Sequence, residues 1–147
     1  MFVPFAAVIR DACAWGVRAY VPCLPGCLRL IHSLGRRKIP FYLEQPRSSY
    51  MWHDRRLCRA LSLYGAEYAD VDMCSFGTRY RKATRFALCF INDPGRLGDE
   101  RRSRCRGRHG ICSFSGKPHV RLEGAATTKA AEYPWPLAFA LARALKS

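Results

Sequence analysis

Cys105-x6-Cys112-x6-His119, with His109 between, carries the residue types that hold metal ions. Thiolate sulfur and imidazole nitrogen are zinc ligands, and four such donors close a tetrahedral site. The spacing is wider than the short Cys-x2-Cys knuckle. Cys105, Cys112 and His119 are therefore the candidate zinc ligands, against the alternative of an unliganded thiol pair beside a histidine. A second pair, Cys23-x3-Cys27, with Pro22 and Pro25 around it, lies in an apolar context and reads as structural.

Two further constellations have chemical potential. Glu44-Gln45-Pro46-Arg47 follows the apolar run IPFYL. A carboxyl group at the end of a buried strand can hydrogen-bond the polar edge of a nucleobase, and burial raises its proton affinity. The alternative is a strand-end turn with a solvated Glu44. The other constellation is GTRYRKATR at 77–85. On an extended segment Arg79, Arg81 and Arg85 share one face, with Tyr80 on the other as core or stacking surface. Such a row can hold a backbone phosphate or a flipped base. Its alternative is a charged edge strand that discourages pairing. The chain has no Gly-rich phosphate loop, nucleophile elbow, zinc-protease helix motif or glycosidase-like carboxylate pair.

The composition favours binding. The 147 residues carry 25 Lys plus Arg against 11 Asp plus Glu, a net charge of +14. That excess opposes compaction unless an anionic partner offsets it. Nucleic acid is the expected partner, and an anionic membrane surface is the other physical option. Arg47, Arg79, Arg81, Lys82, Arg85, Arg102, Arg104, Arg106 and Lys117 are the candidate contacts. The eight cysteines are spread along the chain, several of them inside apolar runs, which predicts reduced thiols and an intracellular protein, nuclear or nucleoid-associated if it binds DNA. MFVPFAAVI before Arg10 and Asp11 makes a poor signal peptide, and no run is long enough to span a bilayer.

These residues must be positioned by a small set of elements. Apolar spacing predicts a helix over 5–20, a break at VPCLPG, and a second helix over 27–34 stopped at Gly35. Residues 1–38 are then a helical N-terminal segment ending in a basic turn. IPFYL predicts a buried strand of a parallel sheet. Ser48 or Ser49 caps a helix running to Tyr64, with Gly65 as its stop. Strands are predicted at 67–74 and 86–91, with a basic loop at 76–85 between them. A Gly/Arg-rich stretch occupies 92–110, within a basic Cys/His loop over 92–124. Prolines 134 and 136 open a final helix with Leu137, Leu141, Ala144 and Leu145 at helical spacing. This alternation predicts an open α/β sheet with a basic loop insertion and a C-terminal helix.

Taken in order, these segments resemble the C-terminal part of a cytosine-C5 DNA methyltransferase domain, more closely its divergent phage-like and retroelement-like members. Glu44-Gln45-Pro46 stands where those members read Glu-Asn-Pro, and PRSSYMW resembles the Pro-x-x-Ser-x-x-Trp continuation. DMCSFGTRYRKAT resembles their Cys-x-x-Gly-x-x-x-Arg-Lys-x-Thr stretch. Ordinary members carry Gln-x-Arg-x-Arg there, and Gly77 takes the Gln position, with Arg79 and Arg81 in the Arg positions. CSFSGKPHVRLEG resembles the variable recognition-side segment, and AAEYPWPLAFALARAL the last motif without its Gly-Asn pair.

The resemblance spans 39–145 and implies a partial Rossmann-like, methyltransferase-type sheet over 39–147. It implies that Glu44 and Arg81, supported by Arg79, form the catalytic base-holding side, with S-adenosylmethionine as cofactor. The family's Pro-Cys nucleophile falls near residue 4, where this chain reads Pro4-Phe5, and Pro22-Cys23 is too close to Glu44. The Gly-rich cofactor turn has no counterpart. The expectation is a truncated or degenerate methyltransferase-like protein that keeps nucleic-acid binding, with DNA favoured by the resemblance and a second chain supplying the missing half. The alternative is a non-enzymatic, zinc-stabilised basic nucleic-acid-binding module.

Overall fold

The computed structural model describes residues 7–9, 17–91, 97, 103–123 and 132–145. Its centre is a four-stranded sheet in the order β1-β2-β4-β3. β1 (Ala7–Ile9) runs parallel to β2 (Phe41–Pro46). β4 (Ala83–Cys89) lies between β2 and β3 (Glu67–Asp72) and is antiparallel to both. The sheet is thus mixed, where IPFYL alone predicts parallel neighbours. All of β2 except Pro46 is buried, as its continuous apolar run requires when both faces are covered.

Helices cover those two faces. One face carries Phe41, Leu43, Ala87 and Cys89, packed against Leu24, Ile31 and Leu34 of α1 (Val17–Arg36) and Leu57, Ala60 and Leu61 of α2 (Arg55–Leu63). The other carries Tyr42, Ala69, Val71, Phe86 and Leu88. It packs against Leu137, Leu141 and Ala144 of α3 (Trp135–Ala144) and against Leu145, which caps that helix. The result is a three-layer α/β arrangement, with one helix pair and one single helix around the sheet. A hydrogen bond of 3.0 Å between His32 Nδ1 and the Tyr64 hydroxyl joins the end of α1 to the end of α2.

Several expected elements differ. α1 runs unbroken from Val17 to Arg36, through Pro22, Pro25 and Gly26. Each interior proline forfeits an amide donor and costs about 3 kcal/mol. The apolar stripe of Leu24, Ile31 and Leu34 recovers that cost by packing on the sheet, since tertiary burial supplies most helix stability. Ala7–Ile9, part of the predicted helix over 5–20, is instead a strand. A short apolar run is ambiguous between the two, and the open edge of β2 decides it. Residues 5–6 and 10–16 lie outside the described residues.

The predicted helix over 48–64 is two pieces. Ser49 caps a short 3-10 turn over Tyr50–His53, accepting from the Met51 amide at 3.3 Å. Asp54 then caps α2, accepting from the Arg56 and Leu57 amides at 2.8 and 3.2 Å. A capping carboxylate this favourable starts a new helix. Gly65 follows α2 as predicted. The final helix lies where the prolines and leucine spacing put it.

Candidate metal centre

β3 ends at Asp72, and the chain turns at once through a 3-10 segment, Met73–Phe76. Gly77 closes that turn at φ +90°, a conformation that favours glycine. The turn buries Cys74 and aims its thiol away from the sheet core. There it meets Cys105 and Cys112 in a small cluster separate from the two larger cores.

His119 completes the group. One donor atom from each of Cys74, Cys105, Cys112 and His119 lies within 4.8 Å of every other, so this Cys3His cluster could hold a metal ion. A tetrahedral site with metal–sulfur bonds of about 2.3 Å has edges of about 3.8 Å. Cys105 Sγ and His119 Nε2 are already 3.8 Å apart. Three cysteines are buried and His119 is half-buried. Cys105, Cys112 and His119 are the residues that sequence spacing selects. Cys74 is the donor it misses, because it stands in a different element, 31 positions before Cys105. His109, on an exposed turn at φ +53°, does not join them.

The chain from 103 to 123 has little else to hold it. Among its described residues only Ser103, Cys105 and Cys112 are buried. Its internal order comes from a tight turn, in which the Gly116 amide donates to Cys112 O and the Cys112 amide to Lys117 O, both at 2.9 Å. Gly107 passes so close to the Ile111 carbonyl that any Cβ there would overlap it. The Val120 amide donates to Arg79 O at 2.8 Å, tying the exit of the segment to the basic turn.

A buried carboxylate anchors the other end. Asp72 is fully buried, and its Oδ2 accepts from the Cys105 amide at 2.8 Å and from Arg81 Nε at 3.3 Å. Arg81 also donates to Cys105 O at 2.9 Å. Asp72, Arg81 and Cys105 thus form a closed polar circuit beside the thiols. It is the kind of outer contact that fixes a metal ligand's position.

The thiols respond to this setting in opposite directions. Burial pushes Cys74 up, and its contacts with Cys112 and Cys105 push it further. Burial also raises Cys105, but hydrogen bonds from the Ser113 side chain, the Ser113 and Gly107 amides and the Cys74 thiol outweigh it, bringing Cys105 down to about 6. The Ser113 amide and hydroxyl approach its sulfur at 3.3 and 3.5 Å. Cys89, inside the core, is pushed up to about 12 by burial alone. The six cysteines whose side chains are described (Cys27, Cys58, Cys74, Cys89, Cys105, Cys112) are all free thiols.

The other candidate residues divide. Arg79 is exposed and borders a cleft beside Cys74. Arg81 turns to Asp72, so the two do not share one face of a strand, because residues 79–82 are not extended into the sheet. Tyr80 packs on the α3-side core. Arg85 makes a paired contact with Asp70 at 2.7 and 2.9 Å and lies 6.0 and 5.8 Å from the Trp52 and Tyr68 rings. Glu44 is buried at the end of β2, with Lys82 Nζ 4.0 Å from its carboxylate. Arg47 and Arg104 are half-buried and close enough to Asp70 to act on its charge. Arg106 and Lys117 are exposed, and Arg102 lies outside the described residues.

Compared with protein-family models, curated proteins and solved structures, the chain matches none. The reading of this site therefore rests on its own chemistry. Among the described residues, no helix is long and apolar enough to cross a membrane.

Proposed function

We propose that this chain is a zinc-centred basic module that binds nucleic acid. The Cys74, Cys105, Cys112 and His119 cluster carries this reading. Three thiolates and one imidazole are a structural zinc donor set, and four protein ligands leave no open position for a substrate. The metal's role is therefore architectural. It cross-links the end of β3 to a segment that apolar burial cannot hold. That segment, 103–123, contains Arg104, Arg106, Arg108, Lys117 and Arg121 against the single acid Glu123. Fixing those cations beside Arg79 builds a positive surface whose natural complement is a polyanion. DNA is favoured by the resemblance to DNA methyltransferases.

The test has two parts. Protein purified without chelator should contain one zinc per chain, and chelation should destabilise it. Oligonucleotide binding should weaken steeply with added salt. Substoichiometric zinc with unchanged stability after chelation removes the metal. Absent binding at low salt, or binding that ignores salt, removes the nucleic-acid reading.

A second reading is favoured by Glu44. Its carboxylate is buried at the carboxyl end of β2, beside the parallel neighbour β1, with Lys82 at 4.0 Å. Open α/β sheets bind ligands at strand carboxyl ends, and buried charge partners mark functional sites. We propose on this ground the base-holding side of a Rossmann-like, cytosine-C5 methyltransferase-type site. S-adenosylmethionine would supply the methyl group there. This chain offers neither the Pro-Cys pair nor the Gly-rich turn at matching positions, so it should transfer no methyl group alone. Incorporation of labelled methyl groups by this polypeptide alone would overturn that expectation. A Glu44→Gln variant with unaltered preference for cytosine-containing strands would remove the base-holding role.

A further inference from the structure

Beside the metal cluster lies a cleft of about 600 Å³, with Cys74, Thr78, Arg79, Ser115, Lys117 and Pro118 among its lining residues. That volume is within the range of ligand sites, which run from about 300 to 1,000 Å³. Its floor reaches a metal ligand. One wall is the basic turn after β3 and the other is the turn between Cys112 and His119.

The two walls bring two cations together. Arg79 and Lys117 stand 38 positions apart in sequence and on opposite sides of the cleft. Both are exposed, and among the described residues no carboxylate pairs with either. This separates Arg79 from Arg81 and Arg85, whose charges are already met by Asp72 and Asp70. Among the described residues the lining contains no acidic side chain and no aromatic one. A nucleobase would find no ring to stack on. A phosphate would find two cations and the hydroxyls of Thr78 and Ser115.

We infer that this cleft is a phosphodiester-binding groove whose two walls are held together by the metal bound at its floor. The inference rests on the nucleic-acid reading above and gives it a place. The Arg79 wall is continuous with Cys74, and the Lys117 wall is bounded by Cys112 and His119. Besides the thiol cluster itself, the Val120 amide donates to Arg79 O at 2.8 Å and joins the two walls. Contacts there read the backbone and not the bases, so binding is indifferent to sequence at this groove.

The test is fluorescence anisotropy with a labelled 20-nucleotide strand and its duplex, titrated with salt, on the full chain. Replacing one phosphate-contacting cation lowers the slope of log affinity against log salt by about one. Arg79→Gln and Lys117→Gln should each show that loss and the double variant a loss of about two, with zinc content and melting temperature unchanged. Arg36→Gln/Arg37→Gln, an equal charge change at the opposite end of the sheet, should keep the wild-type slope. Chelated protein should bind with the slope of the double variant. Inorganic phosphate should compete no better than an indifferent salt of equal ionic strength.

Each contrary result has one meaning. A wild-type protein that fails to bind at low salt ends the nucleic-acid reading itself. Wild-type binding with an undiminished slope in the double variant ends the groove and leaves that reading standing. Equal losses in the control pair also end the groove. A full slope after chelation ends the coupling to the metal, and competition by phosphate beyond ionic strength reassigns the groove to small anions.

Discussion

The Asp72 carboxylate accepts the backbone amide of Cys105 at 2.8 Å, so the last residue of β3 fixes a candidate metal ligand 33 positions later in the chain. Asp72 is fully buried, and Arg81 is its cationic partner. Removing one member of a buried pair strands the other and costs several kcal/mol, less here because Arg81 can reach water. Asp72→Ala should therefore lower stability by about 2–3 kcal/mol. It should also weaken zinc binding by about ten- to a hundredfold, as loss of an outer contact does. Urea unfolding and competition with a chromophoric chelator measure the two effects. Unchanged zinc affinity would show that Asp72 positions nothing.

Arg79 and Arg81 are neighbours in one basic run but belong to different machinery. Arg81 donates to Asp72 and to Cys105 O, whereas Arg79 faces the cleft. Arg81→Ala should lower the melting temperature and zinc affinity together. Arg79→Ala should leave both in place and act on oligonucleotide binding. Thermal melts with zinc quantification separate the two, and equal effects would contradict the division.

How far the site was legible follows from what kind of contact builds it. Cys105, Cys112 and His119 are readable because they fall at regular spacing within one short stretch of chain. Cys74 is not, because only the ending of β3 at Asp72 and the turn after it carry that thiol to the loop. Likewise β2 and α3 are written in local patterns, a continuous apolar run and a proline-led leucine stripe. α1 is not, since Pro22 and Pro25 argue for a break and the sheet beneath Leu24 and Ile31 overrules them. The alternating faces assigned to Arg79, Arg81 and Arg85 assume an extended segment, and the ladder begins only at Ala83.

Gly107 touches no metal donor through a side chain, yet the cluster depends on it. The Ile111 carbonyl occupies the space a Cβ would need, and the Gly107 amide donates to the Cys105 sulfur. The obstacle is backbone and cannot swing aside. Gly107→Ala should open the turn and reduce zinc occupancy well below one per chain, with no ligand changed. Metal analysis of the purified variant tests this, and full occupancy would show that the turn can relax.

Metal removal should be felt locally before it is felt globally. The two large cores on either side of the sheet contain none of the four donors. Segment 103–123 has little burial beyond its cysteines. Chelation should therefore raise amide exchange over 105–120 strongly and over β2, β4 and α2 little. Cys74→Ser should reproduce the same pattern in that distant segment. Exchange measured by mass spectrometry shows it directly. Uniform deprotection along the chain would mean that the metal holds the whole fold.

Asp70 and Arg85 give the protein a pH dependence that is separable from the metal. Hydrogen bonds from Arg85 hold the Asp70 carboxyl below its usual value, against the opposing effect of burial, with the charges of Arg85, Arg47 and Arg104 adding to the shift. The pair is short and two-pronged, at 2.7 and 2.9 Å, and Arg85 stays charged at every accessible pH. In the unfolded chain an Asp titrates near about pH 3.9. Above that value both states are ionised and the pair contributes in full. As pH falls, the unfolded chain takes up its proton first, which erodes stability. The contribution is gone once pH passes below the lowered native value. Asp70→Asn should therefore cost about 1–2 kcal/mol at neutral pH. The gap between variant and wild type should stay constant down to about pH 5 and shrink toward pH 3. Because both proteins carry the same metal ligands, comparing their urea unfolding at matched pH cancels proton competition at the cluster. A gap that persists undiminished at pH 3 would mean that Asp70 contributes through shape and not through charge.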